Sequence, residues 1–257
     1  MPQRPTRSLK HEYELYVEEE IENYKESIPR SAILAIGDEA AARLAMTPQI
    51  ALTELVLWEE VDRIIFKRLR LPSYQTWRRR RLKLLAELQR PEHWGLRPDD
   101  VVVRAVRSVA DGRVLVAGEE VDGQALYLAA NGCEVTAIDR ESATLERVLI
   151  AAEQAGLATR VQGLLGDLRH WVPEQPLTAV LCASSAFAGL SAEERGRVIE
   201  VLQSATLDGG VHLVRTIVAG RQVLTLDELR ARYAGWDVSV ESPIGGAPTF
   251  LARKSLS

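Results

Sequence analysis

Residues 113–139, RVLVAGEEVDGQALYLAANGCEVTAID, decide how this chain folds. Arg113–Ala117 is a short apolar run of the kind that makes a strand buried on both faces. Gly118 breaks it, and Glu119 to Gly123 read as a polar turn with a second glycine. Gln124 to Asn131 has helical composition, with Ala125, Leu128 and Ala129 spaced to share one face. Asn131-Gly132 is a helix stop, and Glu134–Ile138 is the next buried strand. Asp139 then stands at the carboxyl end of that strand, about 20 residues beyond the first turn glycine. That is the spacing at which a nucleotide-binding βαβ unit sets a carboxylate on ribose hydroxyls.

The same segment resembles motif I of class I S-adenosylmethionine (SAM)-dependent methyltransferases. It is most similar to the small-molecule branch that includes the tellurite-resistance type, worded close to VLDLGCGxGxxALYLAxxGxxVTAxD. Val114, Leu115, Gly118, Ala125–Ala129, Gly132, Val135–Ala137 and Asp139 match. Val116 stands where the family has its strand acid, and Glu120 and Asp122 replace the second and third glycines. The resemblance implies SAM as cofactor, with Gly118, Glu120, Asp122, Gly123, Asp139 and Asp167 around it. Gly118 would give close backbone approach, Asp139 the ribose contact and Asp167 the adenine contact. Glu120 and Asp122 would crowd the carboxylate of the methionine end unless the turn is rebuilt around Gly123.

The remainder of the chain continues the βα alternation. A helix is expected over Glu141–Gly156, a strand over Arg160–Leu165, and a fourth strand over Leu177–Cys182. Asp167, just beyond the third strand, has a second reading as the N-cap of the turn Leu168–Trp171. The loop Ala183–Gly189 leaves the fourth strand where an open α/β sheet binds ligands, so Ser184, Ser185 and Phe187 are candidates for lining the acceptor side. Ser191, with Glu194 three later, predicts a capping box on the helix Ala192–Ala205. Asp208-Gly-Gly is a turn before the strand Val211–Val218, and Thr225–Tyr233 is the last helix. Trp236–Glu241 and Thr249–Arg253 resemble the closing antiparallel pair of the methyltransferase sheet. The expected fold is therefore α/β, a mostly parallel Rossmann-like sheet over residues 96–257 with helices on both faces.

Residues 1–95 read as an all-helical N-terminal domain. His11–Ser27 is acidic, Ser31 caps a helix Ala32–Met46, and Thr47-Pro48 opens a helix to Arg70. A further helix follows Ser73. Between Arg63 and Lys83 lie nine basic residues and no acidic one, with Arg78, Arg79, Arg80 and Arg81 consecutive. Tyr74 and Trp77 could serve such a segment as stacking groups on nucleic acid. The competing reading, favoured by the net charge of −4, pairs this face with the acidic first helix, within the chain or in a homo-oligomer.

The hydrophobic fraction of 46% and charged fraction of 26% are those of an ordinary globular protein. No stretch reaches the ~20 apolar residues of a membrane span, and Cys133 and Cys182 both fall in or beside predicted buried strands. A cytoplasmic protein is expected. The four histidines, His11, His93, His170 and His212, stand at no ligand spacing, so no metal site is expected, and His212 reads as strand packing. GEEVDGQ lacks the ending of a phosphate-binding loop. Two functions stay open. One is SAM-dependent methyl transfer to a small-molecule or partner-bound nucleophile. The other is a methyltransferase-fold binding or scaffold protein without activity, assembled through its helical N-terminal part.

Overall fold

The computed structural model describes residues 8–46, 54–109, 111–118, 121–215, 224–241 and 248–256. The chain divides into two compact units, residues 1–84 and 85–257.

The second unit is built on β1 (Arg113–Ala117), β2 (Glu134–Asp139), β3 (Val161–Leu165), β4 (Leu177–Cys182), β5 (Thr206–Arg215), β6 (Asp237–Glu241) and β7 (Thr249–Arg253). These form one sheet in the order β3-β2-β1-β4-β5-β7-β6. The first five run parallel, and β7 inserts antiparallel between β5 and β6. The expected closing pair is thus present, and strand order reverses between β1 and β4. Successive residues of a strand point to opposite faces. Val114 and Val116 accordingly enter one core with α6 (Val121–Ala130), α7 (Ser142–Gln154) and the buried valines that open α5 (Val101–Val109). Leu115 and Ala117 enter the other, with α8 (Ala192–Ala205) and α9 (Leu226–Arg232). Both faces are covered, so the strands read as continuous apolar runs.

Local chemistry explains most element ends. The capping box forms at α8, where Ser191 Oγ accepts from Glu194 N–H and the Glu194 carboxylate accepts from Ser191 N–H. Thr225 caps α9 through one such bond, its Oγ1 accepting from Glu228 N–H. Two boundaries differ from expectation. α6 begins at Val121 rather than Gln124, because Gly123 is absorbed into its first turn. β5 begins at Thr206, five residues early, by pairing with Leu177 ahead of a register shift; the end expected at Val218 lies outside the described residues.

β5 carries a buried polar chain. Thr206 Oγ1 lies 2.6 Å from the Leu202 carbonyl, to which it donates, and 2.7 Å from His212 Nε2. That geometry assigns the proton to Nε2, so Nδ1 accepts from Tyr233 Oη at 2.7 Å. His212 is fully buried, and desolvation pushes its pKa down to about 3. It is a neutral core residue, as strand packing requires.

The first unit contains α1 (Leu9–Ser27), α2 (Arg30–Ala45), α3 (Glu54–Arg68) and most of α4 (Tyr74–Leu88). Its core is Ile21, Ile36, Ala40, Val61, Ile64 and Ile65. α2 starts at Arg30 after an extended Pro29, so Ser31 is inside the helix and not its cap. The Thr47-Pro48 start lies outside the described residues. Ion pairs tie the helices: Glu12 to Arg81 at 3.2 Å, Lys25 to Asp62 at 2.8 Å, and Glu39 to Arg68. Tyr13 packs on Tyr74 and Trp77 with ring centroids 5.5 Å apart, and its hydroxyl donates to the Pro72 carbonyl. The two rings of α4 that could have stacked on bases are engaged with α1. No described helix is long and apolar enough to cross a membrane.

Candidate functional site

The carboxyl ends of β1 to β4 open into a cleft of about 180 Å³. Ala117 and Gly118, Ile138 to Glu141, Gly166 to Leu168, and Ser185, Ala186 and Ala188 line it. It sits where strand order reverses, the place an open α/β sheet offers to ligands.

Asp139 is 9% exposed at the tip of β2. Its Oδ1 accepts from Glu141 N–H at 2.8 Å, which fixes the carboxylate, while Oδ2 accepts no hydrogen bond among the described residues. Gly118 follows β1 with φ +93, in the left-handed region. A Cβ there would meet Ser185 Oγ at 2.7 Å and the Ala186 nitrogen at 2.9 Å, so a side chain would push the β4 exit loop away and reshape the cleft.

Asp167 is also on the cleft wall, with its carboxylate already engaged. Oδ1 accepts from Arg169 N–H at 2.9 Å, and Oδ2 takes the Arg169 fork at 3.0 and 2.6 Å. The Arg169 guanidinium therefore holds the carboxyl below its ordinary value, with Arg140 at 3.6 Å adding to the effect. Arg140 also donates to the Ala188 carbonyl at 2.7 Å, reaching from the end of β2 to the loop after β4. The bond from Arg169 N–H is a local side-chain turn of the sort the capping reading anticipated.

The other anticipated residues divide. Ser185 joins the cleft; Ser184 is fully buried, and its Oγ has no hydrogen-bond partner among the described residues. Phe187, expected on the acceptor side, is 1% exposed and belongs to the core beneath the sheet. Gly123 lies within α6, where an added Cβ would come 2.3 Å from the Trp94 carbonyl. Its lack of a side chain serves the packing of the 3-10 turn Pro91–Trp94 against α6. Asp122 Oδ2 pairs with Arg147 of α7 at 3.3 Å, so its charge is directed along the helix pair. Neither Gly123 nor Asp122 is on the cleft wall. Glu120 lies outside the described residues.

Sequence reasoning passed over the arginines. Arg140 directly follows the strand-end carboxylate and Arg169 stands two residues after Asp167, an adjacency that could have signalled both. Cys182, at the end of β4, is fully desolvated, and its thiol is pushed up to about 12, so it stays protonated. Among the described residues no His, Cys, Asp and Glu side chains group in a way that could hold a metal ion.

The model of the tellurite resistance protein TehB family matches residues 96–239. The chain belongs to the TehB family. The solved TehB of Haemophilus influenzae is 20% identical with a TM-score of 0.50, over 60% of this chain and 61% of that one. Magnesium protoporphyrin IX methyltransferase from Synechocystis PCC 6803, solved with bound SAM, is 17% identical with a TM-score of 0.49 over 61% and 77%. The glycopeptide N-methyltransferase MtfA, complexed with S-adenosylhomocysteine, is 16% identical with a TM-score of 0.47 over 59% and 86%. This TehB-family chain thus spans about three-fifths of the length of the TehB structure it matches. No curated protein matches it at a significant level. Its sheet unit has the class I methyltransferase fold.

Proposed function

We propose that this TehB-family chain is a SAM-dependent methyltransferase acting on a small-molecule or partner-bound nucleophile. The carrying observation is Asp139, a buried carboxylate braced by Glu141 N–H with its second oxygen unengaged, on the wall of a cleft at the strand reversal. That arrangement fits a ribose, whose vicinal hydroxyls both need acceptors. Bound there, SAM would supply an electrophilic methyl group.

The chain's own residues bind and align. Asp139 accepts from the ribose, and Gly118 with Ala186 keeps the floor of the cleft flat and close. Cys182 does not attack, since its thiol stays protonated. Holding donor and acceptor in line lowers the barrier by proximity, without a dedicated nucleophile on the protein.

Titration calorimetry with S-adenosylhomocysteine tests the reading. Binding is expected, and Asp139→Asn should weaken it about tenfold or more, the ~1.4 kcal/mol or greater of a lost charged hydrogen bond. Absence of heat up to millimolar ligand, in the wild type, ends the enzyme reading.

The second reading, an inactive methyltransferase-fold scaffold, is favoured by one observation. Asp167, which would receive the adenine amino group, is already gripped by Arg169. Arg169→Ala separates the two. Tighter nucleoside binding marks a competed adenine site, and unchanged null binding marks a cleft that serves no nucleoside.

A further inference from the structure

The helical unit carries two exposed charged stripes that its own packing leaves unmatched. Within the chain α1 and α4 lie antiparallel. Glu12 pairs with Arg81 at 3.2 Å, and Tyr16, further along α1, stacks on Trp77, further back along α4. Those contacts use one face of each helix. On another face of α1, Glu14, Leu15, Glu18 and Glu19 recur at helical spacing, all exposed. α4 answers with Arg78, Arg79, Leu82 and Lys83, exposed as well. The leucines are 37% and 41% exposed, each set among like charges. The side chains of Glu18, Glu19, Arg78, Arg79 and Lys83 make no ion pair or hydrogen bond among the described residues. Glu14 has only loose contacts with Lys10 and His11, at 4.0 and 3.9 Å.

The two stripes match in order as well as in sign. Along an antiparallel helix pair, each step up one helix is a step down the other. Setting Leu15 against Leu82 therefore brings Glu14 to Lys83, Glu18 to Arg79 and Glu19 to Arg78 in a single register. An apolar contact flanked by opposite charges is how paired helices select partner and direction. We propose that the chain associates with a second copy of itself, α1 of one docking antiparallel on α4 of the other. Every copy supplies both stripes, so the contact needs no other partner. Nucleic acid fits this surface less well. Tyr74 and Trp77 are engaged with Tyr13, and the acidic stripe belongs to the helix packed beside the basic one. The inference is independent of the methyltransferase reading.

Sedimentation velocity on the full chain tests it. In ~0.01 M salt, where charges act over ~30 Å, mass should rise with concentration; in ~1 M salt the association constant should fall at least about tenfold. Glu18→Arg with Glu19→Arg should abolish association, and so should Arg78→Glu with Arg79→Glu. The chain carrying all four substitutions keeps the wild-type net charge and restores opposite signs across the register, so it should associate again. Circular dichroism spectra and urea midpoints that match wild type certify each variant as folded. A wild type that stays monomeric in low salt overturns the proposal. Binding of an RNA oligonucleotide that Arg78→Glu with Arg79→Glu abolishes would then give the basic stripe to nucleic acid. Association unchanged in ~1 M salt also overturns the proposal, by assigning the contact to apolar surface. So does a folded four-substitution chain that remains monomeric.

Discussion

In the sheet unit, Val114 to Ala117 are each at most 3% exposed and alternate between two cores; the helical unit buries Ile21, Ile36, Ala40, Val61, Ile64 and Ile65 and adds cross-helix ion pairs. The sheet unit is therefore held chiefly by area removed from water, which charge screening does not weaken. The helical unit has less of that area, and a larger share of its cohesion is electrostatic and screened. A functional cleft needs walls fixed to a fraction of an ångström, which close-packed interiors supply and exposed ion pairs do not.

The largest effect should come from large-to-small changes in the two cores. Leu115→Ala and Ile64→Ala should each cost about 2–5 kcal/mol. Hydrogen exchange should place the loss of protection in β1 and its neighbours for the first, and in α1 to α3 for the second. If either change lowers protection equally in both units, the contrast between them is broken.

His212 sharpens the same contrast through pH. Its folded pKa lies below its unfolded value, so the unfolded chain takes up a proton that the folded one refuses. Stability from this group is complete above about pH 6.5 and declines between there and about pH 3, with a slope near 1.4 kcal/mol per pH unit. Urea midpoints from pH 7 to 4 should fall for wild type. His212→Gln should be less stable at pH 7, and its acid decline shallower.

Gly118→Ala comes next. The left-handed φ costs about 1 kcal/mol for a residue with a side chain, and the contact with the Ala186 backbone adds to it. S-adenosylhomocysteine affinity should fall along with stability. Unchanged affinity would mean that the β4 exit loop yields without touching the cleft.

Smaller still are Arg68→Gln and Arg81→Gln in the helical unit, at about 0.2–1 kcal/mol each. Their effect should fade in ~1 M salt, where screening acts within ~3 Å. Ser184→Ala should be close to neutral, since its buried hydroxyl has no hydrogen-bond partner to lose. A loss above ~1 kcal/mol would reveal a partner that forms in solution.

Strand positions were legible because burial on both faces leaves an apolar run whose length is the strand, as with β4 and β7, found at their expected limits. β5 was misread at its start because Asp208-Gly-Gly carries turn chemistry, yet pairing with β4 extends the strand back to Thr206. The cleft was legible at Gly118 and Asp139, where strand ends dictate position. It was not legible at Phe187, because a 3-10 turn over Ser184–Phe187 rotates that ring into the core.

By itself the sequence determined the strand–turn–helix–strand unit and the places of Gly118 and Asp139 at its strand ends, since local periodicity and turn chemistry are written in neighbouring residues, while the full methyltransferase sheet was expected from the family resemblance. Only the tertiary structure decided which charges meet across separate elements: Asp122 with Arg147, Glu12 with Arg81 and Lys25 with Asp62. An ion pair is set by where side chains meet in space, and for groups on separate helices and strands no spacing along the chain encodes that meeting.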